Sequence, residues 1–143
     1  MNIILQILVW GSAAGIIHFI ALSALYQNPF AAKHYKKARD ANCPALKKWP
    51  DQKGYILRMA LGTQVEIFIL TASFLILRRY LPFSPWATTF ALGTIFTGIR
   101  VYPRFWNMWI QSSYPNDLLA VEFVNGVLGT FIVVISLNLL PIK

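Results

Sequence analysis

Acidic side chains are scarce in this chain: five Asp and Glu stand against thirteen Lys and Arg, and charged residues of both signs make up 13% of its 143 residues. Soluble domains carry about a quarter charged residues, so little of this sequence is built to face water. Cysteine is scarcer still. Cys43 stands alone, which excludes an internal disulfide, a thiolate metal cluster and a paired-cysteine redox site. The start, Met1-Asn2-Ile3, lacks the basic flank of a cleavable secretory signal, and the apolar run behind it is too long for one. It reads as a retained first span. No apolar run alternates with polar residues over about ten positions, so barrel strands are excluded. Internal repeats, a nucleotide-binding loop, a metalloprotease helix and a serine elbow are also missing from the sequence.

What the sequence does have is apolar length. Hydrophobic residues form 57% of it, and a span needs about 20 of them to cross a core of about 30 Å. All eight prolines fall outside four apolar runs, as expected of a residue that lacks an amide hydrogen and clashes with the preceding turn. The pattern predicts an all-α, integral membrane four-helix bundle in one domain. Its spans cover about 3–27, 55–77, 86–102 and 118–140, with a basic loop at 28–54. Within that loop Asn28-Pro29 offers an N-cap and a first-turn proline for a short surface helix. The third span is the shortest, held between Pro85 and Pro103, and the aromatic stretch Phe105, Trp106 and Trp109 either continues it past a kink or lies flat at the interface.

The formal charge of +8 does not point to nucleic acid, because no soluble domain with exposed stacking aromatics accompanies it. Seven of the thirteen Lys and Arg lie between Lys33 and Lys53. With Arg104 they put eight basic residues on the side of loops 1 and 3, against Arg78, Arg79 and Lys143 on the other. That asymmetry predicts loops 1 and 3 in the cytoplasm and both termini outside it. Trp49 and Tyr35 within the basic loop add the option of resting on anionic lipid headgroups.

Small and polar residues recur at helical spacing in each run, as on faces turned toward neighbouring helices. Gly11, Gly15 and His18 mark the first span, Arg58, Gly62 and Glu66 the second, Gly93, Thr97 and Arg100 the third, and Glu122, Asn125, Gly126 and Gly129 the fourth. Gly11, Gly15, Gly62, Gly126 and Gly129 are the expected helix-packing positions. His18, Arg58, Glu66, Arg100, Glu122 and Asn125 form the expected intramembrane polar cluster. Counting helical rise, Arg58, Arg100 and Glu122 come within roughly 3 to 6 Å of the cytoplasmic edge, and His18 and Glu66 lie roughly 14 to 17 Å deep. Two expectations follow: Glu122 pairs with Arg100 or Arg58, and Glu66 shares an inward face with Gly62, leaving Ile67, Leu70 and Phe74 to lipid or apolar packing.

Two readings of the polar residues compete. In one, Glu66 and His18 relay a proton or cation toward the cytoplasmic layer; in the other they fix helix register, His18 by bonding a backbone carbonyl. Haem would need a second axial histidine at membrane depth, and zinc would need more ligands than one histidine and scattered acids provide, so no cofactor or metal is expected.

At the end of the first span, Leu25-Tyr26-Gln27-Asn28-Pro29-Phe30 followed by Lys33 and Tyr35 resembles a hinge in a bacterial membrane family catalogued as domain of unknown function 1761. Asn28 and Pro29 match its pattern, while Tyr26 and Gln27 depart from its usual aromatic pair. The resemblance implies a four-helix bundle in a bacterial inner membrane and transfers no catalytic residue. The expected function is a non-enzymatic accessory module that associates with itself or with a larger membrane complex. A proton- or ion-coupled small-solute carrier using Glu66 is the alternative. A membrane enzyme acting on a lipid or isoprenoid comes third, for want of a nucleophile or metal site.

Overall fold

A computed structural model describes residues 2–141; Lys143, counted above toward orientation, lies outside them. The described chain is all-α. Its elements are α1 (Ile3–Gln27), α2 (Pro29–Asp40), α3 (Gln52–Leu77), α4 (Pro85–Arg100), α5 (Tyr102–Gln111) and α6 (Asn116–Leu139). Local chemistry sets their starts. Asn2 accepts from the Ile4 amide, Asn28 from Ala31, Asp51 from Lys53 and Gly54, and Ser84 from Ala87, each filling a donor that a helix start leaves free. The short helix expected after Asn28-Pro29 is α2.

Among the described residues, three helices are long and apolar enough to cross a membrane: α1, α3 and α6, with 25, 26 and 24 residues. At about 1.5 Å per residue each exceeds the thickness of a hydrocarbon core. The third predicted span, about 86–102, corresponds to α4, whose 16 residues leave it outside these three, and the aromatic stretch beyond it forms the separate α5. Pro103 cannot donate the amide that would bond the turn before it, so the helix breaks at Val101, which keeps helical angles (φ −92°, ψ −45°), and then resumes as α5.

α1 packs against α3 and α6, and α4 packs against α6. Close approaches fix the registers. A Cβ on Gly11 would meet Phe68 and Thr71, one on Gly15 would meet Gln64, and one on Gly129 would lie 2.9 Å from His18 and 3.1 Å from Leu22. Gly93 faces Phe131, Gly126 faces Val101, and the Phe105 and Phe123 rings sit 4.9 Å apart. These last three contacts descend α6 in order, so α4 and α5 together run antiparallel to it. Gly62 departs from expectation, since nothing lies within 4 Å of where its Cβ would be.

The core gathers Ala14, Ile67, Leu70, Phe74, Leu92, Phe96, Val133, Val134 and Leu137. Ile67, Leu70 and Phe74 are therefore the inner face of α3, correcting the sequence-based assignment of that face to its Gly62 side. Helical spacing sets Gly62 about 140° from Ile67, and the large residues with partners on three helices win the interior. Two buried hydroxyls are satisfied within their own helices: Thr71 donates to the Ile67 carbonyl and Thr130 to that of Gly126, both at 2.8 Å.

Candidate functional site

Polar side chains converge at two levels. The first lies where α1 ends and α6 begins. Glu122, in the second turn of α6, accepts from the Tyr26 hydroxyl at 2.8 Å, from the Tyr114 hydroxyl at 3.2 Å and from the Tyr35 hydroxyl. Tyr26 closes α1, Tyr35 lies on α2, and Tyr114 sits in the turn before α6, so one carboxylate ties three segments together. Tyr35 reaches it because Ala31, Tyr35 and Ala38 fall on one helical face, and the two alanines are buried. One turn away, Asp117 accepts from His34 at 3.2 Å and from Lys37 at 3.0 Å, which closes the other edge of α2. Burial pushes the Tyr35 and Tyr114 phenols above the ordinary tyrosine range, and the charge of Glu122 pushes them the same way. Glu122 therefore takes three phenolic donors in place of the expected arginine.

The second level is mid-span. Arg100, near the end of α4, forks onto Glu66 of α3: Nη2 donates to Oε2 at 2.9 Å and Nε donates to Oε1. Its Nη1 donates to Thr130 Oγ1 of α6 at 2.9 Å. The side chain thus reaches inward from α4, so Arg100 belongs with Glu66 and not with the Glu122 layer where helical rise alone placed it. Length explains the difference: a guanidinium can sit several ångströms from its own Cα level. Beside Thr130, the Gly129 carbonyl accepts from His18 Nδ1 at 3.1 Å, which fixes the proton of that fully buried ring on Nδ1. This is the backbone-bonded role. Gln64 Nε2 donates to the Gly11 carbonyl at 3.1 Å and adds an α1–α3 link.

Asn125 is buried on α6 between the two levels, and its Nδ2, like His18 Nε2, has no partner among the described residues. Arg58 does not join the cluster. It is exposed, with its guanidinium carbon 5.2 Å from the Trp49 ring centre. It lies six residues after Gln52, near the start of α3. Among the described residues no group of three His, Cys, Asp or Glu is placed to hold a metal. A cavity of about 180 Å³ opens at the far end, between Phe74, Arg78, Phe83, Pro85, Thr88 and Asn138.

The chain matches no family model, no curated protein and no solved structure. Its chemistry is therefore read from the two levels alone. Sequence reasoning singled out Glu66, Arg100, His18 and Glu122 but paired them differently, and it missed Tyr26, Tyr114 and Thr130 as partners. The Ala31, Tyr35, Ala38 spacing was the one available signal for Tyr35.

Proposed function

We propose that the protein is a non-enzymatic membrane module that crosses the bilayer four times and associates with a second copy through the α3/α4 side. The fourth crossing is α4 and α5 taken together: residues 85–111 run beside α6 and, at about 1.5 Å per residue, are long enough to span. Large apolar side chains point outward along this surface, among them Ile69 on α3 and Ile95 and Ile99 on α4, as a lipid-facing exterior requires. The Asn28-Pro29 hinge, through its likeness to the bacterial family, supports the same architecture.

One observation carries the association. The Glu66 side chain is 41% exposed, against 19% for its partner Arg100, on an otherwise apolar outer surface. Glu66 is fourteen residues after Gln52 and eleven before Leu77, so this opening lies at mid-span. An ion there costs about 2.5 to 3.5 kcal/mol even on the mildest insertion scale, and a covering helix offsets that cost. Gly62, one turn away with open space around it, lets a neighbouring helix come close.

Gly62→Cys in a Cys43→Ser background tests this. Mild oxidation in native membranes should give a disulfide-linked dimer, while Ile20→Cys on the outer face of α1 should not. Equal cross-linking at both positions, or a purely monomeric native mass spectrum, would overturn the reading. A proton-coupled carrier is the second reading, favoured by the same half-open carboxylate. For it, Glu66→Gln should abolish proton flux in liposomes with the fold intact.

A further inference from the structure

Where α3 enters the apolar layer, two cations share one ring. Lys47 Nζ lies 4.4 Å from the Trp49 ring centre and the Arg58 guanidinium carbon lies 5.2 Å from it. Neither cation has an ion pair with an acid among the described residues. The nearest acid in sequence, Asp51, is committed to the amides of Lys53 and Gly54 as the α3 cap. Cation–π attraction holds each charge over the indole, yet the two repel one another. An anion within reach of both would relieve that repulsion. Tyr55, its ring 5.6 Å from that of Trp49, adds a second interfacial aromatic.

Below this seat an apolar track begins. Leu57, Leu61, Val65 and Ile69 follow one another at four-residue spacing on α3 and are 60, 60, 60 and 62% exposed. Twelve residues of helix cover about 18 Å, comparable with an extended acyl chain. Two cations sharing a ring at the membrane boundary, beside an apolar ridge that winds slowly around α3, have the chemistry of a single ligand class.

We propose that Lys47, Trp49 and Arg58 form a headgroup site for an anionic phospholipid, whose phosphate is held by the two cations while an acyl chain lies along Leu57, Leu61, Val65 and Ile69. The site rests on the reading that α3 crosses the bilayer, and it does not depend on self-association. Tryptophan fixes the cations at a set depth, so the site differs from the general attraction of the lysines on α2, which lack a shared ring.

Native mass spectrometry of detergent-solubilised protein, titrated with dioleoyl phosphatidylglycerol or dioleoyl phosphatidylcholine, tests the site. The first phosphatidylglycerol should bind about tenfold more tightly than the first phosphatidylcholine. Replacing both cations, Lys47→Gln with Arg58→Gln, should weaken the first phosphatidylglycerol by roughly thirty-fold, at about a fivefold loss per charge. Lys33→Gln with Lys36→Gln, on the exposed face of α2, removes the same net charge and should change it by less than about twofold. Equal affinity for the two lipids, or equal losses in the two double variants, would overturn the site. Far-UV circular dichroism checks that each variant is folded. If the first double variant loses helix, the single Arg58→Gln change on an exposed side chain supplies the comparison. The same spectra report subunit number separately, so a failed lipid site and a failed dimer are told apart.

Discussion

Glu122 shows how one residue can hold several segments. A carboxylate is an acceptor with room for about four donors, and three are supplied here by Tyr26, Tyr35 and Tyr114. Glu122→Gln keeps the shape but turns one acceptor oxygen into a donor facing phenols, and it removes the charge that strengthens all three bonds. The variant should lose about 1 to 3 kcal/mol in thermal unfolding in detergent, while Arg79→Gln, beyond the end of α3, should lose less than about 0.5 kcal/mol. Equal midpoints for the two would remove the hub. Tyr35 adds a pH signature. Its phenol is raised above the ordinary value of 10.0, so the folded chain holds a proton that the unfolded chain gives up. That contribution is complete below about pH 10 and fades as the pH climbs toward the folded value. Stability should therefore fall above about pH 10, and Tyr35→Phe should make that fall shallower than in the parent protein. Parallel curves would show that the Tyr35 proton plays no part.

At the scale of the helices, glycine has two meanings that sequence spacing does not separate. Gly129 lies where His18 and Leu22 press on α6, and an added Cβ would come within 2.9 Å of a ring that is itself bonded to the Gly129 carbonyl. The ring has nowhere to retreat. Gly62 meets open space. Gly129→Ala should thus destabilise the bundle by about 1 to 3 kcal/mol. Gly62→Ala should be neutral or stabilise the monomer by up to about 1 kcal/mol, since alanine is the better helix former. Thermal midpoints in dilute detergent distinguish the two, and a larger loss at Gly62 would contradict the packing described. Helix association in lipid leans on such close contacts, because lipid tails are as apolar as the side chains they would replace.

Across the whole molecule, the basic residues gather at one end. Lys33, Lys36, Lys37 and Arg39 lie on α2, Lys47 and Lys48 in the following loop, and Arg58 and Arg104 near the adjoining helix ends. Under the positive-inside rule we propose that this end faces the cytoplasm. Cys43 reports on it, since it lies in the same loop with its Sγ 3.8 Å from the Ser113 carbonyl. An impermeant maleimide should leave Cys43 unlabelled in intact cells and modify it once the membrane is opened. Labelling from outside would reverse the orientation.

The sequence by itself determined the all-helical class, the three long apolar helices and the start of α2, because hydrophobic length and capping chemistry act over a few neighbouring residues. It also named His18, Glu66, Arg100 and Glu122 as intramembrane polar groups, since ions are rare enough in apolar runs to stand out. Their partners were not legible. Glu66 and Arg100 are 34 residues apart and Tyr26 and Glu122 are 96 apart, and which of them meet depends on how the helices rotate about their axes. That rotation is set by competition for the interior: Ile67, Leu70 and Phe74 take it on α3, leaving Gly62 outside and Glu66 at the rim. Helical periodicity places residues on a common face, but only packing against three other helices decides which face turns inward.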